Sequence, residues 1–141
     1  MKQYITNGIN NSPTIAFPAA ADMRDIGGKA VKLNSDNEVV ICDTKGEKAL
    51  GIVTIDNDTE ILRNDSVSVQ IKDIGPAIIG EDVAALDELT VSETGALVKA
   101  GSGDNVIAIA LGNYSKGSAG NIQINRYMAA ASESENESKT E

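Results

Sequence analysis

The side chains of this 141-residue sequence that could do chemistry are its carboxylates and a single cysteine, because it contains no histidine. Histidine is the commonest general base near neutral pH and the commonest metal ligand. A mechanism that uses carboxylates alone needs two acids held across a pocket. The acids here stand mostly in turn-like sequence, where Asp is first a turn former; they are Asp36, Asp56, Asp58, Asp65 and Asp104. We therefore expect no catalytic residue and a protein that is not an enzyme.

Two short motifs resemble ligand-binding loops in composition. Residues 56–60 (Asp-Asn-Asp-Thr-Glu) look like a fragment of a calcium loop, but they lack the Gly at the sixth position and the Glu at the twelfth that such a loop needs. Residues 101–104 (Gly-Ser-Gly-Asp) are followed by no Lys and no predicted helix, so they match neither a P-loop nor a dinucleotide fingerprint. We predict solvated turns at both places, with no metal and no cofactor.

Cys42 is the only cysteine, so no intrachain disulfide is possible. It follows the aliphatic residues of the run 39–42 (Val-Val-Ile-Cys). A free cysteine in such a setting usually behaves as a small apolar residue. We predict that Cys42 is a core residue and not a nucleophile.

The charge and the apolar composition limit the partners of the chain. The net charge is −9, from 21 acidic and 12 basic residues, which opposes binding to nucleic-acid phosphates and to anionic membranes. Only four residues are aromatic, so the core must be built from Val, Ile, Leu and Ala and would gain from burying further surface against a partner. With no 18-residue apolar run and no signal pattern, we expect a soluble chain made in a reducing cytosol.

The periodicity of the chain indicates an all-β fold. Residues 65–72 alternate apolar and polar side chains with a period of two, which predicts a strand with Val67 and Val69 inward and Ser68 and Gln70 outward. Turn clusters rich in Asn, Asp, Ser and Gly separate the other short aliphatic runs. Residues 81–86 are the best helical candidate, with one or two turns.

Two stretches of the chain repeat each other. Residues 30–40 align with residues 88–98 as strand, polar turn and strand, and Ala-Leu-Gly follows at 49–51 and again at 110–112. Residues 69–72 (Val-Gln-Ile-Lys) then align with residues 122–125 (Ile-Gln-Ile-Asn). Two copies suit one pseudo-symmetric domain with a duplicated half. The alternative is two unrelated β-meanders that share short strands and glycine turns.

These observations divide the chain into three parts. Residues 1–27 are predicted to form an N-terminal arm, residues 28–128 a β domain with half-repeats at about 28–72 and 88–127, and residues 129–141 a disordered acidic tail, since the tail has no large apolar residue.

The arm contains an extended apolar patch, which ends at Pro18 and follows Pro13. We predict that this patch binds a neighbouring molecule, with Ile15 and Phe17 as anchors; the alternative is an edge strand of the same domain. The predicted contact residues are Thr14, Ile15, Ala16, Phe17 and Pro18.

The sequence resembles the capsid decoration proteins, also called cement or head-stabilising proteins, of tailed bacteriophages. The resemblance covers roughly residues 12–127. The matching motifs are Gly-Lys-Ala-Val-Lys-Leu at 28–33, Ala-Leu-Gly-Ile-Val at 49–53, Ser-Val-Ser-Val at 66–69, Ala-Leu-Gly at 110–112 and Gly-Asn-Ile-Gln-Ile at 120–124.

This resemblance implies a β-tulip-like or small barrel domain on the outer surface of the virion, bound to an expanded head. It implies that the major capsid protein is the partner, that the arm joins the sheet of that protein, and that the chain forms a homo-oligomer, with a trimer favoured. The alternative function is a receptor- or carbohydrate-binding β module of a phage appendage or adhesin. Tyr114, beside the Gly/Ser-rich loop at 113–120, is the one candidate for sugar stacking in that alternative.

Overall fold

The computed structural model describes residues 12–55 and 59–130, and this part of the chain is built from strands without a helix. The all-β class predicted from the sequence is confirmed. Within the same residues, no helix is long and apolar enough to cross a membrane. The strands are β1 (Thr14–Pro18), β2 (Met23–Arg24), β3 (Ala30–Leu33), β4 (Val39–Ile41), β5 (Gly51–Val53), β6 (Glu60–Ile61), β7 (Ser66–Gln70), β8 (Ile74–Ile78), β9 (Glu88–Val91), β10 (Leu97–Lys99), β11 (Asn105–Ala110) and β12 (Ala119–Met128).

The strands form two five-stranded antiparallel sheets and a two-stranded sheet. The first sheet has the order β1-β7-β5-β3-β4, the second has the order β10-β9-β11-β12-β8, and β2 pairs with β6. Isolated parallel bridges, Ala19 with Val39 and Ile79 with Leu97, join the two edge strands of each large sheet at one end. Neither sheet is a closed barrel, so the small barrel, one of the two forms that the resemblance implies, is wrong.

The two large sheets have the same topology. Read from β1 and from β8, the two strand orders correspond strand by strand, and the registers agree as well. Thr14 lies opposite Gln70 in the first sheet, and Ile74 lies opposite Gln123 in the second. We call residues 14–71 repeat 1 and residues 74–128 repeat 2, and we call residues at matching register positions counterparts.

The strand pairing also shows which positions of the repeated sequence motifs are structurally equivalent. Gly51 lies opposite Val31 in repeat 1, and Ala108 lies opposite Leu89, the counterpart of Val31, in repeat 2. Gly51 therefore corresponds to Ala108. The second Ala-Leu-Gly motif begins at Ala110, at the end of β11, so the alignment of the two Ala-Leu-Gly motifs is wrong.

The core of repeat 2 extends into repeat 1. One face of the first sheet packs on a core of its own, around Val31, Val53 and Val67. The opposite face of that sheet contributes to a second cluster that holds the core of repeat 2. The repeat 1 residues in the second cluster are Ala30, Cys42, Ala49 and Ile52. The repeats therefore share one apolar interface, whose burial stabilises both.

This shared interface explains a residue that the alternation placed in solvent. Ser66 and Ser68 are exposed and Val67 and Val69 are buried, as the period of two predicts. Gln70 is only 7% exposed, so its predicted outward position in solvent is wrong. Its amide donates to the carbonyl of Lys72 at 2.8 Å, which satisfies one of its polar groups inside the protein.

The helix expected at 81–86 is absent, and a turn takes its place. Val83 forms an isolated antiparallel bridge with Tyr114, which repeats the pairing of Met23 with Ile61 in repeat 1. The carboxylate of Asp87 accepts a hydrogen bond from the N–H of Ala84 at 2.8 Å. Short-range propensity is overridden here by the strand pairing that both repeats share.

The apolar patch at Thr14–Pro18 forms β1 and pairs with β7 along its whole length. This arrangement is the edge strand of the alternative interpretation. Phe17 packs against the core of repeat 1, whereas Ile15 is 37% exposed. Residues 1–11 of the predicted arm and residues 131–141 of the predicted tail lie outside the described residues.

Cys42 offers a test of how the repeats pack. It is fully buried in the cluster that the repeats share, and burial, with a smaller contribution from the Glu47 carboxylate, raises its pKa to about 12. Because the thiolate is the reactive form, we expect native protein to react with Ellman's reagent at pH 8 only through unfolding, and urea-unfolded protein to react at once. Stoichiometric reaction of native protein within the mixing time would contradict this packing.

Candidate binding surfaces

Two of the acids that the sequence offered for chemistry bind within their own turns. Within residues 12–55 and 59–130, no three acidic or cysteine side chains are grouped so that they could hold a metal ion. Asp65 accepts the N–H of Leu62, and Asp104 accepts the N–H of Gly101 within its own loop. These two acids act as the turn formers predicted for them. Asp56 and Asp58 lie outside the described residues.

The first contact between the repeats is made by the loop at residues 43–48. The N–H of Gly46 donates to the carbonyl of Val91 at 3.1 Å, and the carbonyl of Gly46 accepts from the backbone N–H and from the side chain of Asn105. Lys45 pairs with Asp104 at 2.9 Å. The N–H of Gly101 and then the Lys45 ammonium lower the pKa of Asp104.

The second contact involves the chain around β3. The N–H of Ile78 donates to the carbonyl of Gly28, and the N–H of Ala30 donates to the carbonyl of Gly95, both at 2.8 Å. Gly28 has a φ of +81°, and a Cβ there would lie 2.9 Å from the Cγ1 atom of Ile78. Both the backbone conformation and the close approach of repeat 2 therefore require glycine at this position.

A groove of about 680 Å³ lies where the two repeats meet beside these contacts. The guanidinium of Arg126 donates to the carbonyls of Ala49 and Leu50 at its wall. Neither Arg126 nor Lys48 belongs to an ion pair among the described residues. The rim of the groove therefore carries two cationic groups that have no carboxylate partner among these residues. The groove is lined by Lys32, Leu33, Lys48, Ala49, Leu50, Asn105, Val106, Arg126, Tyr127 and Met128.

Lys32 at the groove is neutralised by two acids. Its ammonium donates to Glu47 at 2.8 Å and to Asp43 at 3.0 Å, and these bonds raise the pKa of Lys32. Burial alone would raise the pKa of Glu47, but hydrogen bonds from Lys32 and from the N–H groups of Thr44 and Asp43 bring it below the ordinary value. The bond from Lys32 also lowers the pKa of Asp43.

The free side of β1 presents a sheet edge. The carbonyl of Pro13 and the N–H of Ala19 bond to the β7 side, so the odd-numbered residues form the ladder and Ala16 directs its N–H and carbonyl away from it. At the counterpart of Ala16, β8 has Pro76, which has no N–H. Ala16 is exposed. Repeat 1 therefore has an edge that can accept another strand, whereas the edge of repeat 2 is blocked.

The tyrosine of the carbohydrate-binding alternative is not displayed on the surface. Tyr114 is half-buried and packs against the core of repeat 2. Its ring lies over Gly112 and Gly120, where a Cβ on either glycine would come within 3 Å of the ring or its hydroxyl. The protein itself therefore covers part of this ring, which leaves less of it for a sugar to stack on.

The geometry defines a class of protein: an all-β chain of two matching open sheets that presents edges and a groove. No protein-family model matches the sequence, and no curated protein does. Among solved structures, the chain is similar in fold to the base of the head fiber of bacteriophage phi29 (gp8.5 N base). The TM-score is 0.61 at 16% identity, and the match covers 82% of this chain and 95% of that chain. This likeness shows a shared fold.

The contact between the repeats predicts that two matched substitutions change the free energy of unfolding by different amounts. Gly28→Leu should destabilise the protein by at least about 2 kcal/mol, because it adds both a left-handed non-glycine residue and a clash with Ile78. Leu86 is the counterpart of Gly28, with a φ of +72° and an exposed side chain. Leu86→Gly should change stability by less than about 1 kcal/mol, since relief of strain offsets the entropy of glycine. Urea unfolding measures both; equal effects would contradict the repeat assignment.

The lowered carboxylate pKa values predict acid sensitivity. A folded-state pKa below the unfolded value gives a contribution that is present above the unfolded pKa and is lost as the pH falls through the folded pKa. For Asp43, Glu47 and Asp104 we therefore expect the free energy of unfolding to fall as the pH drops from about 5 to about 3. Lys45→Met should make this fall smaller. A flat profile from urea titrations at these pH values would count against these interactions.

Proposed function

We propose that this chain is a structural accessory protein of a phage head, which binds the outer surface of the expanded capsid and stabilises its lattice. The observation that carries the proposal is the fold that the chain shares with 95% of the phi29 head-fiber base. The residue motifs that resemble phage decoration proteins support the same class of function. The role is structural and not catalytic, and the expected partner is the major capsid protein.

The edge of β1 is the contact that we propose for the capsid. An exposed strand edge can accept a strand of another protein, with main-chain hydrogen bonds for affinity and side-chain pockets for specificity. Thr14–Pro18 supplies such an edge on the side away from β7. Ile15 is the more accessible apolar anchor, and Phe17 holds the strand in place from the core of repeat 1.

Repeat 1 and repeat 2 differ at this edge in a way that favours one capsid contact per chain. Pro76 removes the outward N–H at the middle of β8, and the N–H of Ile78 is already used by Gly28. Natural proteins protect sheet edges with proline to prevent unwanted pairing. The edge of β1 has no proline at the corresponding position, where Ala16 stands. Pro18 removes an outward N–H at the end of β1, but the N–H of Ala16 at its centre remains, and this less protected edge is the one expected to have a partner.

Stabilisation of the head follows from binding at many places on one lattice. Each contact needs only moderate affinity, because distortion of the lattice has to break several of them together. The net charge of −9 does not favour a role in binding packaged DNA or a membrane. The accessory protein would therefore act from outside the capsid, through protein contacts alone.

Ala16→Pro tests the proposed edge contact. Proline at 16 removes the outward N–H but leaves the ladder to β7 intact, and Pro76 shows that the same position of the other repeat holds proline. We expect binding to purified expanded empty heads, made with the capsid gene from the same genome, to weaken by about tenfold or more in co-sedimentation. Ala16→Val, which keeps the N–H, is the matched control and should bind as the natural chain does.

The thermal midpoint of Ala16→Pro should stay within a few degrees of that of Ala16→Val, which shows that the domain is folded. If Ala16→Pro decorates heads to the same saturation and affinity, the edge contact is wrong. If the unmodified chain binds no head but binds glycans of host cells on an array, the accessory-protein function is wrong and the receptor-binding alternative replaces it.

A further inference from the structure

Repeat 1 binds repeat 2 through one face of its sheet, and the matching face of repeat 2 is open. We call this face, in either repeat, face A. In repeat 1 it is buried at Gly28, Ala30 and Ile52. The counterparts in repeat 2 are Leu86, which is 75% exposed, Glu88, which is exposed, and Ile109, which is half-buried. The described part of the chain therefore buries one copy of face A and leaves Leu86 and Glu88 of the second copy exposed, where the hydroxyl of Tyr127 donates to Glu88.

The loops next to face A follow the same pattern. Gly46 has a φ of +80° and is the tip of the loop that docks on repeat 2. Its counterpart Gly103 has a φ of +78° and the same place in the loop at 101–104. No heavy atom would lie within 4 Å of a Cβ on Gly103. The second loop thus has the conformation of the docked loop and an open tip at Gly103, while its Asp104 pairs with Lys45 of repeat 1.

The surface that receives face A is also present twice. We call it face B. In repeat 2 it includes the backbone of Val91, Gly95 and Asn105, which bond to repeat 1. The register places Leu33 at the counterpart of Val91 and Asn37 at the counterpart of Gly95. The counterparts in repeat 1 lie beside an open groove, which both Leu33 and Lys48, the counterpart of Asn105, line.

The contact between the repeats is not two-fold. A two-fold contact would repeat the bond between Gly28 and Ile78 as a contact between their counterparts, Leu86 and Pro18. Leu86 is instead largely exposed, and the residues next to Pro18 bond within repeat 1. A contact of this kind uses different surfaces on its two sides, so each chain keeps one unused face A and one unused face B.

We propose that these chains associate head to tail, with face A of repeat 2 docked on face B of repeat 1 in a second copy of the chain. Leu86 and Ile109 supply the apolar contact. Glu88 contacts Asn37 of the second copy in the way that Ala30 contacts Gly95 within one chain. The loop at 101–104 enters the groove at Leu33. Its tip, Gly103, then lies at Lys48 of the second copy, as Gly46 lies at Asn105 within one chain.

The contact between chains is weaker than the contact within one chain. Pro18 has no N–H, so it does not repeat the bond that Ile78 makes to Gly28. The ion pair of Lys45 with Asp104 has no equivalent either, since Ser102 stands at the position of Lys45. Association is therefore reversible and depends on concentration.

The backbone at Leu86 supports a role for its side chain in binding. A leucine with a φ of +72° is strained, and its counterpart is a glycine. Strained residues persist where the surrounding structure holds them, often at binding sites. Here the turn holds the strained Leu86 with its apolar side chain exposed on the open face A. The inference rests on the two repeats and is independent of binding to a phage head.

Sedimentation equilibrium of the full chain between 1 µM and 1 mM tests this proposal, with two single variants. Leu86→Asp alters face A, and Lys48→Glu alters face B. We expect the unmodified chain to associate and each variant to associate at least about tenfold more weakly. Leu62→Asp is the matched control, because Leu62 is 55% exposed and lies outside both faces; it should associate normally. Asp tolerates a positive φ better than Leu, so Leu86→Asp should remain folded.

A mixture of the two variants distinguishes docking of face A on face B from docking of either face on its own copy. Leu86→Asp keeps an intact face B and Lys48→Glu keeps an intact face A, so the mixture should form a complex of two chains that neither variant forms alone. A chain that is a monomer at 1 mM overturns the proposal. So does an oligomer that neither variant weakens, or a mixture that gives no new complex.

Discussion

The packing of the outer face of the first sheet against repeat 2 is the interaction on which the rest of the structure depends. Each repeat is an open sheet of five short strands, and its core contains few aromatic residues. A sheet of this kind buries little on one face alone, so joining both repeats through Ala30, Cys42, Ala49 and Ile52 adds a second buried face to repeat 1. Backbone hydrogen bonds of Gly28, Ala30 and Gly46 then fix how the repeats are placed.

A duplicated unit joined by a contact with two different sides has a direct consequence for function. The two copies of each surface cannot have the same environment, and the sequence differs where the environments differ. The buried Gly28 and Ala30 correspond to the exposed Leu86 and Glu88. At the sheet edges, Ala16 of β1 corresponds to Pro76 of β8. One repeat unit thus yields an open edge, a blocked edge, a covered face and an open face in a single small chain.

The local features of this fold could be predicted from the sequence, but the contacts between the repeats could not. Alternation at 65–72 identified β7, and the strand, polar turn and strand read at 30–40 and at 88–98 identified the two hairpins. Burial of Gln70 depends on a second sheet that lies against it, which no local pattern reveals. The helix predicted at 81–86 does not form, because the strand pairing that both repeats share overrides the local helix propensity. The best available signal for face A was the alignment of residues 30–40 with 88–98, which sets Glu88 against Ala30 and so marks a change of environment.

Native-state hydrogen exchange of the amides that cross between the repeats shows whether the two repeats unfold together. The N–H groups of Ala30, Gly46 and Ile78 each donate to the other repeat. If the two repeats form one cooperative body, these amides exchange only through global unfolding, with the same free energy as the central amides of β7 and β12. Exchange of the three amides orders of magnitude faster than the strand amides would show that the repeats separate on their own, and the account of the shared interface would then be wrong.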